Sequence, residues 1–179
     1  MRHKLSLLYD WLIYTFLYFL PDVPILMRFR GWLYGLDMKH CGKNFQVAHS
    51  TILNGTDRMA VGDNVYFANF CNVLTNGIIS IGSNTLFGPH VVISAGNHQF
   101  DGQSFINKIP GGKDVTIGEN VWVASHVTIL AGSKVPNQSL VAAGAVVTPG
   151  TEQTERKIYG GIPAKAIGDV HNRQEDKRI

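Results

Sequence analysis

Between Val115 and Val147 an aliphatic residue returns every six positions, at Ile117, Val123, Ile129, Val135, Val141 and Val147. A helix repeats its apolar stripe at about 3.6 residues and a half-buried strand at two, so neither explains a beat of six. A six-residue repeat indicates a parallel β-helix, whose strands are each too short to bury a face alone and gain a core only by stacking coil on coil. The same beat is clear at Val61, Phe67 and Val73, slips by two residues through Gly77–Ser80, and resumes at Ile81, Phe87 and Ile93. All twelve of these starts are apolar, and four positions after them stand small or β-branched residues such as Val65, Thr85, Val121, Ser139 and Ala145. The position after a start is often Gly or Ala, as at Gly62, Ala68, Gly82 and Gly118, where the chain must turn tightly between flat faces. Cys41, Val47 and Leu53 open a weaker, irregular first coil.

The beat is silent from Ile93 to Ile117, a separation of 24 residues that is still a multiple of six. The coil therefore closes on either side of an excursion, residues 97–114 (NHQFDGQSFINKIPGGKD), with the polar, Gly-rich and aromatic make-up of a functional loop on a rigid scaffold. Three segments follow: an apolar helical leader over 1–40, the β-helix over 41–168 with its loop at 97–114, and a charged tail over 169–179 expected to fray after about residue 170. The leader is rich in Leu, Tyr, Phe and Trp and broken by Asp10, Pro21 and Pro24. Its longest uncharged run, Trp11–Leu20, is too short for a bilayer, which takes roughly 20 residues. Nor does it fit a signal peptide, since Asp10 interrupts it and no small-residue cleavage site follows. Two roles stay open: a cap on the open end of the β-helix or between subunits, and an interfacial helix beside Arg2, Lys4, Arg28 and Arg30.

Composition narrows the class only a little. The 179 residues suit one domain; 45% apolar and 16% charged residues describe a globular protein, and a formal charge of +3 is too mild to argue for nucleic acid. Cys41 and Cys71 form no CxxC, which removes disulfide frameworks and zinc knuckles and makes reduced, cytoplasmic thiols the default.

IGENVWVASHVTILAGSKV, VAAGAVVT and GGIPAK stand here in one order and spacing, and with them the chain resembles the hexapeptide-repeat acyltransferases over about residues 41–168. Within that family it is most similar to the maltose, galactoside and surface-polysaccharide O-acetyltransferases, with some likeness to xenobiotic acetyltransferases around GNHQFDG. The resemblance implies an all-β solenoid, a left-handed parallel β-helix; crossover rules alone favour the opposite hand. It implies acetyl-CoA as co-substrate, no metal, and a homotrimer with its active site in the groove between subunits, a groove that Phe70 and Val92 would help to pave.

The family's catalytic histidine falls on His98, where the stack gives way to the loop. A sugar hydroxyl is a poor nucleophile at neutral pH, and an imidazole within hydrogen-bond reach takes its proton as it attacks the thioester, worth on the order of 10²–10⁴ in rate. The acceptor-holding asparagine falls on Asn69 in YFANF, a residue that could equally stabilise its own corner. Ser125, Ala143 and Gly144 match positions lining the pantetheine arm, where small side chains let backbone groups reach its amides. Thr148 and Lys165 match the phosphate end, Trp122 a wall near the thiol, and Ser125 is the candidate oxyanion donor. Pro149 stands where many relatives carry Lys, which shifts weight to Lys165, Lys157 or Arg156, and Asn76 stands where sugar acetyltransferases often carry an acid. The acceptor expected is a sugar or lipid-linked saccharide, with the enzyme cytoplasmic and either free or peripheral at the inner face of the membrane through residues 5–36.

Other classes make different demands. N-acylation of an amino-sugar nucleotide uses the same scaffold. A carbonic anhydrase on this fold needs three convergent histidines, for which only His49, His90 and His126 offer themselves. A non-catalytic solenoid would need neither His98 nor GGIPAK.

Overall fold

The computed structural model describes residues 2–106 and 112–171. Part of the 97–114 loop and the last eight residues of the charged tail fall outside the described residues.

Five three-strand coils stack in parallel: β1 (His40–Cys41), β2 (Gln46–Val47) and β3 (Ile52–Asn54); β4 (Met59–Val61), β5 (Tyr66–Phe67) and β6 (Asn72–Leu74); β7 (Ile79–Ile81), β8 (Leu86–Phe87) and β9 (Val92–Ser94); β10 (Val115–Ile117), β11 (Trp122–Val123) and β12 (Thr128–Ile129); β13 (Lys134–Val135), β14 (Leu140–Val141) and β15 (Val146–Val147). The three faces run β1-β4-β7-β10-β13, β2-β5-β8-β11-β14 and β3-β6-β9-β12-β15. A sixth strand, β16 (Lys157–Gly160), continues the second face on β14, and β17 (Lys165–Asp169) folds back antiparallel to close that edge.

Register explains the beat. Thr116 lies on Lys134, Trp122 on Leu140 and Thr128 on Val146, eighteen residues apart, or three hexads per coil. The first coils are two residues longer, with Gln46 on Tyr66 and Tyr66 on Leu86. One extra pair is the slip before Ser80; the other makes a 3₁₀ turn, Thr56–Arg58, where the sequence suggested only an irregular coil. Val92 pairs with Thr128, 36 residues on, so the excursion after β9 adds one whole coil length and the ladder resumes undisturbed.

The repeat starts point inward, with Val47, Val61, Phe67, Phe87, Ile93 and Ile129 fully buried. Phe67 and Phe87 stack at 4.3 Å and 6°, and Phe45 meets Phe67 edge-on at 6.1 Å. Hydroxyls at the inner corners are satisfied by the neighbouring coil: Thr51 Oγ1 donates to Ala68 O at 2.6 Å and Ser133 Oγ to Val147 O at 3.0 Å. The residue three after most starts takes a left-handed conformation, and at one corner it is Asn44, Asn64, Asn84 and Asn120, a type that tolerates positive φ. Asn44 donates to Asn64 and Asn64 to Asn84, each at 3.0 Å, so the side chains repeat the backbone ladder.

The leader forms two helices, α1 (Arg2–Leu17) and α2 (Pro24–Gly35), with a proline in the first turn of α2. They pack on the first coils through Ile13, Met27 and Tyr34, all buried. Gly31 is required for that approach, since a Cβ there would stand 2.0 Å from Phe45 O.

Candidate active site

Asn69 sits on the corner between β5 and β6, and its amide is committed across the junction with the leader. Its Nδ2 donates to Asp22 Oδ2 at 2.8 Å and to Ser50 Oγ at 3.1 Å. Asp22, between the two helices, also accepts from the His49 backbone N at 2.8 Å, contacts His49 Nδ1 at 2.7 Å and pairs with Arg30 Nη1 at 2.9 Å. Burial pushes the Asp22 carboxyl up, but hydrogen bonds from the His49 ring, Asn69 and the His49 amide outweigh it and hold the group below its usual range. Arg30 is buried at 2% exposure and also donates to Val47 O, Leu20 O and Pro21 O, pinning the turn that carries Asp22. Asn69 therefore does more than stabilise its own corner: it links the coil to the leader.

His98 lies on the chain just after β9, exposed, with no hydrogen-bond partner among the described residues. Downstream, Asp101 Oδ1 accepts from the backbone N of Gln103 and Ser104, each at 2.9 Å, and the exposed rings of Phe100 and Phe105 meet at 5.1 Å. The segment just downstream of His98 is thus tied together by its own local contacts.

The residues matched to the acyl carrier fall into two groups one strand apart. Ser125 and Gly144 stack on neighbouring coils, Gly144 N donating to Ser125 O at 3.0 Å, with Ala143 exposed beside them. Gly144 has φ +74° and nothing within 4 Å of where a Cβ would stand, which leaves open space over that corner. Beyond β15, Thr148 and Lys165 line one cavity of about 480 Å³ with Gly150, Glu152, Pro163 and Ala164. Neither Asn69 nor His98 lines it. Trp122 is half exposed on β11, between Leu86 and Leu140 of the adjoining coils. Of the two alternative cations, Lys157 is paired with Asp169 at 2.5 Å, and Arg156 lines a different cavity with Asn120 and Gln138. Lys165 is left as the cation of the Thr148 cavity.

His49, His90 and His126 do not converge. His49 turns to Asp22, whereas His90 and His126 stack face to face at 4.7 Å and 4°, with Phe70 continuing the stack at 4.9 Å from His90. Among the described residues no three His, Cys, Asp or Glu side chains come together as a metal site.

No family model matches the chain. In three dimensions it is similar to a maltose O-acetyltransferase from Clostridium difficile 630, with a TM-score of 0.80 and 26% identity, covering 94% of this chain and 88% of that one. The fold is that of the left-handed hexapeptide-repeat acetyltransferases. In sequence the chain is 28% identical over 135 residues to the galactoside O-acetyltransferase of Escherichia coli (strain K12), covering 75% of this chain and 65% of that protein. It is also 28% identical over 153 residues to the putative lipopolysaccharide biosynthesis O-acetyl transferase WbbJ of the same organism, covering 79% and 77%. The chain spans about half to two thirds of the length of other curated relatives that it matches.

Within this fold, Asp22 is the site residue that the hexad could not reveal, because it lies outside the repeat. One signal was available: a carboxylate between two prolines in an apolar stretch, LPDVP, must find partners when that stretch packs.

Proposed function

We propose that the protein is an acetyl-CoA-dependent O-acetyltransferase acting on a hydroxyl of a sugar or surface-polysaccharide precursor, with His98 as general base. The observation that carries this reading is His98 itself: an exposed imidazole, free of partners among the described residues, where the rigid coil gives way to the loop. The sugar and surface-polysaccharide substrates in the relatives' names support the acceptor class.

In the reaction the acceptor oxygen attacks the thioester carbonyl while His98 takes its proton. The resulting oxyanion is met by the backbone N–H of Ser125, and collapse expels the coenzyme thiolate, which recovers the proton from His98. Asn69 and Asp22 present an amide and a carboxylate, fixed by His49, Ser50 and Arg30, to the hydroxyls of the acceptor. Ser125, Ala143 and Gly144 bed the pantetheine arm, with Trp122 as a wall near the thiol. Thr148 and Lys165 receive the phosphate end in their cavity. The distance of His98 and Asn69 from that cavity is met by a homotrimer, in which one subunit's acceptor side faces another's carrier side. The enzyme works in the cytoplasm, with residues 5–36 resting on the inner membrane surface; no helix among the described residues is long and apolar enough to cross a membrane.

The test is release of free thiol from acetyl-CoA in the presence of an oligosaccharide panel. His98→Ala is expected to lower kcat by about 10²- to 10⁴-fold. Equal rates for the variant and the wild type would overturn the assignment.

A further inference from the structure

The leader helices turn polar side chains inward and leave large apolar ones outside, α1 most of all. α1 buries Ser6 and Asp10 with Ile13, and turns Leu5, Leu8, Trp11, Leu12 and Phe16 to solvent, Phe16 at 74% exposure. α2 buries Arg30 beside Met27 and Tyr34, yet exposes Ile25, Phe29, Trp32 and, just past its end, Leu36. An ordinary surface helix does the reverse, apolar stripe inward and polar face out.

This orientation is enforced by specific bonds. Asp10 Oδ2 accepts from the backbone N of Gly55 at 2.8 Å and of Thr56 at 3.0 Å, and Oδ1 accepts from Thr56 Oγ1 at 2.6 Å. Ser6 Oγ accepts from Asp57 N at 3.2 Å, and His3 Nδ1 meets Asp57 at 2.7 Å. Turning the apolar face inward would bury leucines at the cost of stranding these buried polar groups.

Charge follows the same division. The only carboxylates among residues 1–36 are Asp10, which is buried, and Asp22, which is exposed on the turn but paired with Arg30 and His49; the other exposed charges are Arg2, Lys4 and Arg28. Beside α2 a cavity of about 540 Å³ is lined by Trp32, Leu36, Cys41 and Phe45 with Arg28 and Lys43, and no acidic side chain lines it. Phe29 and Trp32 stack at 6.0 Å next to it. Aromatic and aliphatic side chains beside a cavity whose charged lining is cationic match the boundary of an anionic bilayer, where rings sit at headgroup depth and basic residues meet lipid phosphates.

We infer that the α1–α2 hairpin docks on an anionic phospholipid surface, and that the cavity beside α2 takes one lipid of that surface, its phosphate on Arg28 and Lys43 and its chain against Trp32, Leu36 and Phe45. This names the lipid class and the contact site for the membrane surface in the functional reading above, and it stands apart from the acetyl-transfer chemistry of that reading.

The full chain carries three tryptophans, Trp11, Trp32 and Trp122, of which only the first two belong to the hairpin. Vesicles of phosphatidylglycerol or of phosphatidylcholine with brominated chains therefore report docking directly. Expected results are pelleting with phosphatidylglycerol but little with phosphatidylcholine, and quenching that disappears in Trp11→Phe/Trp32→Phe, where only Trp122 remains. Arg28→Glu/Lys43→Glu is expected to weaken partitioning by at least about tenfold, with thiol release on a water-soluble acceptor unchanged. Equal pelleting with both lipids, unquenched tryptophans, or partitioning untouched by the charge reversal would overturn the inference. So would a change in oligomeric mass in the charge-reversal variant without vesicles, which would give the surface to a second copy of the chain. Loss of acetyl transfer in the wild type with docking intact would sink the enzymatic reading alone.

Discussion

Asp10→Ala removes the acceptor that holds α1 in its inverted orientation. Two buried backbone N–H groups, of Gly55 and Thr56, lose their partner, while the Thr56 hydroxyl retains Asp37 Oδ2 at 3.5 Å. At about 1–3 kcal/mol per stranded buried group, partly offset by no longer burying a carboxylate, the net loss is about 3 kcal/mol. Asp10→Asn keeps one oxygen for both N–H groups and offers its amide to Thr56 Oγ1, so its cost is about 1 kcal/mol. The two variants should thus differ by about 2 kcal/mol, or roughly thirtyfold in the unfolding equilibrium, measurable by urea denaturation followed by tryptophan emission.

The pH dependence sharpens the test. Burial raises the folded-state pKa of Asp10 above its ordinary 3.8, against the bonds from Thr56 and Gly55 that lower it. Between that raised value and 3.8 the folded protein binds a proton that the unfolded chain does not, so acidification through this window adds stability from Asp10. Asp10→Asn lacks this contribution. Equal stabilities for the alanine and asparagine variants, with unchanged hydrogen exchange at the Gly55 and Thr56 amides, would refute the anchoring role.

Three further outcomes are expected. Phe67→Ala, which empties a fully buried ring position stacked on Phe87, should cost about 3–5 kcal/mol in denaturant unfolding. Lys165→Ala should raise KM for acetyl-CoA by about five- to thirtyfold with kcat nearly unchanged, because a phosphate contact remote from the thioester acts alike on ground and transition states. The folded-state pKa of Asp22 is lowered, so its contribution to stability is full above the ordinary 3.8 and is lost as pH falls through the folded value. Asp22→Asn should flatten that acid limb in a pH series of unfolding midpoints, and should raise KM for the acceptor.

The hexad was legible because each coil repeats one local problem: Val47, Phe67, Phe87, Val123 and Val141 meet the same interior, so the requirement for a buried aliphatic or aromatic residue is written along the chain at fixed intervals. His98 was singled out by the family resemblance, and the periodicity adds only that it stands where the beat stops. The polarity of the leader was not. Composition marked residues 5–36 as apolar, yet Ser6, Asp10 and Arg30 go inward while Phe16, Ile25 and Trp32 stay out, because Gly55, Thr56, Asp57 and Val47 offer polar partners that no local pattern reveals. Asn69 likewise acquires Asp22 only when leader and coil meet. A periodic core is determined by near neighbours, whereas bonds between a repeat and a non-repeating segment join residues up to 54 positions apart, and only the packed chain decides them.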